Sequence, residues 1–268
     1  MNEIPAKKSL GQNFLNSPGA ISKIVEAAEI TEGEVILEIG PGKGALTEKL
    51  LEKAGKVVAV EKDDRLIPLL HEKFGRNPDF KLIHGDILLL WESKTLKEET
   101  GARYKVVANL PYYITGIFLE KLSSAENPPQ MAILMLQREV ADRILKRDGK
   151  ESILSIAIAA YGSPSLVTHV PAGAFSPVPA VDSSVVKITN ISKDFFIQNG
   201  LTEESFFEMI HRGFAHKRKL LANNLEIATE SLQKCSLLPT ARAEEVPLSK
   251  WACLAGELST QSLKNKEK

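Results

Sequence analysis

The sequence predicts a doubly wound α/β protein: a mainly parallel sheet with helices on both faces, followed by a small helical domain. Three observations carry this. Short apolar runs alternate with helical patterns through the first two-thirds of the chain. Two late apolar runs, over 166–170 and 185–191, are joined by a proline-rich segment and read as a strand pair, which places one antiparallel strand at or near the sheet edge. After Ser192 the strand signal stops and only helical periodicity remains. The catalytic-type domain is drawn as 1–195 and the helical one as 196–268.

The elements follow in order. Ser17-Pro18-Gly19 opens an amphipathic helix to 28, with Ile21, Ile24, Val25 and Ala28 on one side. A strand over 34–39, a helix over 44–53 and a strand over 56–60 come next. Asp63 is read as the cap of a helix running to 74, and 80–84 as a strand. The run Tyr104-Lys105-Val106-Val107-Ala108 reads as a buried parallel strand. Thr115 starts a helix, 131–136 is a strand, and 138–146 and 152–160 are helices. Beyond the strand pair, helices are expected over 202–211, 217–225, 229–234 and 248–258. The polar tail, 260–268, is expected to fray.

Composition narrows the class. The chain has 268 residues, 43% hydrophobic and 25% charged, and no low-complexity tract, so it can bury a core. No apolar run approaches the roughly 18–20 residues that cross a bilayer. The first eight residues lack the apolar core of a signal peptide. Cys235 and Cys253 are too few and too late to make a disulfide framework, so a reducing cytoplasm is the expected setting. Basic and acidic residues number 34 each, a net charge of zero that argues against a uniformly basic nucleic-acid binder. The cations nonetheless cluster. Arg138, Arg143, Lys146, Arg147 and Lys150 form one group; Arg212, His216, Lys217, Arg218 and Lys219 form another. Such groups either hold phosphate in a salt-dependent way or are solvated helix faces.

The chemistry is concentrated at strand ends. Asn109-Leu110-Pro111-Tyr112 follows the strand over 104–108. It sets an amide oxygen, a main-chain carbonyl and a flat ring side by side, with Pro111 fixing the turn. Two acceptors there suit the exocyclic amine of a planar base, whose lone pair is otherwise delocalised. Tyr112 offers a stacking face, worth on the order of 1–3 kcal/mol per base. A strand end with a proline turn and an ordinary core tyrosine would look the same in isolation. Glu38-Ile39-Gly40-Pro41-Gly42-Lys43-Gly44 follows a strand and opens a helix. Its glycines alternate, unlike the dinucleotide fingerprint, whose third glycine lies three residues after the second. Preceded by an acid, the pattern resembles the first motif of class I S-adenosylmethionine-dependent methyltransferases. Glu61, ending the next strand, can accept from both hydroxyls of a ribose. Asp86 can accept from an adenine amine while Ile87 packs on the ring, although an acid there also serves as a turn cap.

Leu10-Gly11-Gln12-Asn13-Phe14-Leu15 then resembles the signature of the rRNA adenine-N6,N6-dimethyltransferase family. The likeness continues through 37–47, Val60-Glu61-Lys62-Asp63, 85–88, 109–115, 137–144, 175–183, Arg218-Lys219-Leu220-Leu221 and Asn223-Asn224-Leu225, so it spans about 8–258. It implies a Rossmann-like class I methyltransferase sheet. By resemblance, Asn13 and Leu15 contact S-adenosylmethionine together with Gly40, Gly42, Glu61, Lys62, Asp86, Ile87 and Asn109. Asn109, Leu110, Pro111 and Tyr112 handle the target base, and Phe175 covers its other face. Arg138, Arg143, Arg147, Arg212, Lys217, Arg218 and Lys219 are the expected RNA contacts. From the residues alone, 11–15 reads only as a flexible lead-in with two apolar anchors. Two positions depart from the family pattern: Ala180 stands where a lysine is usual, and Ile117 where a proline is common.

The resemblance implies transfer of methyl groups to N6 of two adjacent adenosines in a hairpin loop near the 3′ end of 16S rRNA, within the small subunit or its precursor. S-adenosyl-L-methionine is the expected donor and S-adenosyl-L-homocysteine the product. The methyl group is already activated, so no metal and no nucleophilic side chain is expected. A monomer is expected, in the cytoplasm, without membrane attachment. Three alternatives stay open: a 23S rRNA adenine-N6 methyltransferase, a ribosome-assembly factor whose binding role outweighs catalysis, and an NAD-dependent dehydrogenase, the last disfavoured by the glycine spacing.

Overall fold

The computed structural model describes residues 4–7 and 10–266, with backbone only for 123, 124 and 259–266. Parts of the expectations for the first eight residues and for the last two lie outside these. The described residues fall into two compact units, one comprising the chain up to Ala141 with Ser163–Ile191, the other Asp142–Gly162 with Ser192 onward. The sequence reading had drawn a single boundary after 195. The second unit additionally takes in 142–162, a helical segment that lies between strands in the sequence.

In the first unit the elements are β1 (Phe14–Leu15), α1 (Pro18–Ala27), β2 (Val35–Ile39), α2 (Ala45–Leu51), β3 (Lys56–Glu61), α3 (Ile67–Phe74), β4 (Phe80–His84), α4 (Ile87–Leu90), α5 (Lys94–Thr100), β5 (Tyr104–Asn109), α6 (Thr115–Ser124) and β6 (Met131–Gln137). Helix α7 (Arg138–Ile144) follows, and after the excursion into the second unit come β7 (Ser163–Val170), β8 (Phe175–Ser176) and β9 (Ser183–Thr189). The main sheet is ordered β4-β3-β2-β5-β6-β9-β7. Strand β9 runs antiparallel to both of its neighbours and all other pairings are parallel. The core is apolar on both faces of the central strands. Ile36, Leu37, Val57, Val58, Val106 and Val107 are fully buried, as expected when helices cover both sides.

One buried charge on this sheet has a local cause. Lys105 sits on β5, and its Nζ donates to the carbonyls of Ala28 and Glu29 at 3.0 and 2.7 Å and to Glu34 at 2.8 Å. The cation thus satisfies the open carbonyls at the end of α1, where the helix dipole favours positive charge.

Several sequence expectations are revised. Phe14 and Leu15 are not a loose lead-in but a strand, paired antiparallel with β8. Asp63 does not cap α3, which begins at Ile67. Its carboxylate is taken instead by Gln12 and Arg65, contacts that helical periodicity does not report. The short helices α4 and α5 were not anticipated.

The second unit is helical: α8 (Ile153–Tyr161), α9 (Asp194–Asn199), α10 (Glu203–Phe214), α11 (Leu221–Leu225), α12 (Thr229–Lys234) and α13 (Leu248–Lys266). Its core gathers Phe196, Phe206, Leu221, Leu232 and Trp251 around Ile156 and Tyr161 of α8. Residues 217–219 are a turn, not the start of a helix, and α13 continues past 258 to Lys266 because no proline or glycine interrupts that stretch. Cys235 and Cys253 form a disulfide that joins the end of α12 to α13, a single bond that the reading of too few cysteines for a framework did not foresee. Among the described residues no helix is long and apolar enough to cross a membrane.

Candidate active site

The site grows out of four strand ends. β4, β3, β2 and β5 are parallel neighbours, so their carboxyl ends form one edge, where open α/β sheets bind ligands. The loop after β2 supplies Gly40 and Gly42, β3 ends in Glu61, Asp86 stands just past β4, and β5 ends in Asn109. The Gly40 amide donates to the Val60 carbonyl at 3.0 Å, and the Gly85 amide to the Glu61 carbonyl at 2.8 Å, so both loops are fastened to the end of β3. Gly42 has φ +58°, and a Cβ there would come within 3.1 Å of the Phe14 ring. A side chain at this position would be strained and would close the cradle.

Residues 10–16 cross this edge as a strap. Gln12 latches it: Nε2 donates to Asp63 Oδ2 at 2.8 Å, and Oε1 accepts from the Lys7 amide at 2.7 Å. The pairing of Phe14 with Ser176 and of Leu15 with Phe175 fixes its other end. Midway, Asn109 Nδ2 donates to the carbonyl of Asn13 at 3.2 Å. That bond settles which way the Asn109 amide points. Its nitrogen is committed to the strap, and Oδ1 is the end left to act as an acceptor.

Strap and strand ends enclose a cleft of about 1120 Å³ counted out to its open mouth. Asn13, Leu15, Gly40, Gly42, Glu61, Lys62, Asp86, Ile87, Asn109, Leu110, Pro111 and Tyr112 all line it. Phe175 does not. Its ring is 4% exposed and belongs to the apolar cluster of Leu15, Val170 and Ala174, where burial beneath the β1–β8 pair holds it. Besides Tyr112, the cleft wall carries the rings of Phe14 and Tyr113, the latter half-exposed against Gly11 with Lys62 Nζ 5.9 Å from its centroid.

The electrostatics are acidic and partly dry. Glu61 is buried, and its two oxygens accept from the amides of Gly42 (3.1 Å) and Asp63 (2.8 Å), which leaves further lone pairs for a ligand. Burial raises its carboxyl above the ordinary range against the pull of those amides. Glu38 is fully buried with Oε2 unpartnered, and burial, with the Glu61 charge adding, pushes it up to about 8. Asp86 behaves oppositely. Burial acts upward, but the Lys62 ammonium at 2.8 Å and the Leu88 amide at 2.9 Å hold it below the usual carboxylate range. The Leu88 bond also makes Asp86 the N-cap of α4, so the cap and the cleft wall are the same residue. Arg65, then Gln12, hold Asp63 well below that range too.

The expected RNA contacts differ in their surroundings. Arg138 opens α7 and already has a partner, as does Arg143. Arg147 is exposed. Arg212 Nη2 donates to the Leu225 carbonyl at 2.9 Å, so its guanidinium has a structural task. Lys217, Arg218 and Lys219 are exposed together on the turn between α10 and α11. Sequence reasoning missed Gln12, Phe14, Tyr113 and the state of Glu38. Gln12, Phe14 and Tyr113 lie within stretches that carry the family likeness, next to Asn13 and Tyr112, and that was the available signal for them.

A parallel sheet with one reversed strand, a glycine loop and acids at successive strand ends defines a class I methyltransferase of the S-adenosylmethionine-dependent type. The family described as ribosomal RNA adenine dimethylase matches residues 4–259, and the chain belongs to it. A relative named ribosomal RNA small subunit methyltransferase A, from Dehalococcoides mccartyi (strain CBDB1), is 41% identical over 262 residues, covering 95% of this chain and 89% of its own length. Among solved structures, a dimethyladenosine transferase from Plasmodium falciparum superposes with TM-score 0.80 at 24% identity, covering 93% of this chain and 98% of its own. The 23S rRNA methyltransferase ErmE follows with TM-score 0.74 at 23% identity, covering 92% and 100%. At those identities the two structures attest the fold alone.

Proposed function

We propose that this chain dimethylates N6 of two adjacent adenosines in a hairpin loop near the 3′ end of 16S rRNA, acting on the small ribosomal subunit or its precursor. The observation that supports the reading most is the fixed orientation of Asn109, whose amide nitrogen is held by Asn13 while its oxygen is left as an acceptor beside the cleft.

The cleft fits S-adenosylmethionine. Glu61 retains lone pairs for the ribose hydroxyls, Asp86 retains acceptor capacity for the adenine amine, and Ile87 gives that ring an apolar floor. Gly40 and Gly42 keep the loop open, and Asn13 and Leu15 cover the ligand from the strap. When bound, this donor supplies a methyl group on a sulfonium sulfur. The work left to the protein is positioning and electrostatic complementarity. Asn109 Oδ1 and the Leu110 carbonyl accept the two N–H bonds of the target amine, favouring a pyramidal nitrogen with its lone pair free. Tyr112 stacks on the base. Dimethylated N6 has no N–H left, so both acceptors lose their partners and the product is held less well.

A pocket of this kind requires the base to leave its stack, which costs least in a loop. Lys217, Arg218 and Lys219, with Arg147, suit backbone phosphates, contacts that orient without reading sequence. A monomer in the cytoplasm is the simplest form of this reading. Incubating the protein and donor with unmethylated small and large ribosomal subunits, then mapping methylated adenosines by mass, tests it. Two dimethylated adenosines in 16S rRNA are expected; methylation confined to 23S rRNA, or none, refutes it.

A further inference from the structure

We propose that Ser183 is a positioning residue for the target base, acting through the hydroxyl of Tyr112. The inference deepens the N6-methylation reading and rests on it. Tyr112 lies on a single 3-10 turn, Tyr112–Ile114, directly after Pro111. One such turn is weak support, since its hydrogen bonds are strained and few. The ring therefore needs an outside anchor to present one face reproducibly. Its hydroxyl lies 3.1 Å from Ser183 Oγ, across 71 residues of sequence. Ser183 is fully buried and is the first residue of β9, paired with Gln137 on β6 and with Val170 on β7. It is held on both sides by the sheet, so Tyr112 is tethered to the most rigid element nearby.

The residue before it reinforces the anchor. Asp182 Oδ1 accepts from the Ala172 amide at 2.9 Å, and its carbonyl accepts from the Arg138 amide at 3.0 Å. The proline-rich segment is thereby clasped where it enters β9, and Ser183 has no freedom to drift. Among the described residues neither hydroxyl, of Tyr112 or of Ser183, has another side-chain or main-chain partner. A phenylalanine at 112 would keep the stacking ring but orphan a buried serine hydroxyl, which carries a penalty of its own. The phenol thus serves to set the ring's angle rather than to exchange a proton with the base. Ser183 touches no substrate in this scheme.

The test is a double-mutant cycle on unmethylated small subunits with S-adenosylmethionine. Ser183→Ala and Tyr112→Phe are each expected to lower kcat about tenfold, the effect of one lost hydrogen bond that also strands its partner. KM for subunits should change little, because backbone contacts dominate RNA affinity. Donor affinity by calorimetry should be unchanged. The double variant should be no slower than either single one, as two residues acting through one contact require. Multiplied losses in the double variant, or a wild-type kcat in Tyr112→Phe, would overturn the tether. Should Ser183→Ala unfold, Tyr112→Phe still decides, since it keeps the ring and removes only the hydroxyl. A wild-type protein that fails to methylate adenosine N6 overturns the reading beneath; an active wild type matched by both single variants overturns only this inference.

Discussion

The two walls of the cleft are built in different ways. The wall made by Gly40, Glu61, Asp86 and Asn109 stands at or just past the ends of parallel strands: Glu61 and Asn109 lie in the ladders, Gly40 is bonded to Val60, and Asp86 caps α4. The opposite wall is a strap, held at one end by the two-residue pairing of β1 with β8 and at the other by Gln12. The first is continuous with the sheet. The second depends on a few contacts to distant residues, so it can be loosened without disturbing the sheet. Under the proposed function, substitutions on the two walls should therefore separate donor binding from orientation.

The largest effect is expected at the point where the walls meet. Asn109→Ala removes the acceptor and the bond to Asn13 together; methyl transfer should fall about 100-fold or more while donor binding stays measurable by calorimetry. Unchanged turnover would remove Asn109 from the chemistry. Next is the strand-end wall alone. Glu61→Ala should weaken donor binding by about tenfold or more, the worth of hydrogen bonds to a charged acceptor, and equal affinity would show that the carboxylate does not hold the ligand. Gln12→Ala cuts the strap's latch and should weaken donor binding several-fold, with the thermal midpoint close to wild type. A sheet-wide loss of stability in that variant would contradict the picture of a separable strap.

The smallest effect concerns pH. Glu38 keeps its proton in the folded state up to about 8, whereas in the unfolded chain it loses it near the ordinary value of 4.5. Between those values the folded state binds the extra proton, so this group's contribution to stability falls as pH rises. Thermal midpoints of Glu38→Gln should decline less than wild type between pH 6 and 8, a window chosen inside that range. Parallel curves would show that Glu38 is already ionised.

Much of the strand-end wall was legible in the sequence. Residues at the carboxyl ends of parallel strands must share an edge, so recognising the strands placed Gly40, Glu61, Asp86 and Asn109 together. The strap was not legible as a structure, because Gln12 and Asp63 are 51 residues apart and Asn13 and Asn109 are 96 apart. No local periodicity encodes such pairs. Phe175 was likewise placed only by the packing. The family resemblance implies a stacking face there, yet the ring is buried against Leu15 and Val170. The Cys235–Cys253 disulfide was hidden for the same reason: only the packing of α12 and α13 brings the two Cα atoms to 5.7 Å.

The sequence by itself determined the alternation of strands and helices, the reversal of the last central strand, and the chemical types gathered at the sheet edge, because these follow from periodicity and from the fixed geometry of parallel crossovers. Tertiary structure alone decided which end of the Asn109 amide is bonded to Asn13, what the Tyr112 hydroxyl meets, and which aromatics line the cleft. Those outcomes hang on single contacts between remote segments, whose energies compete only once the sheet has brought them within reach.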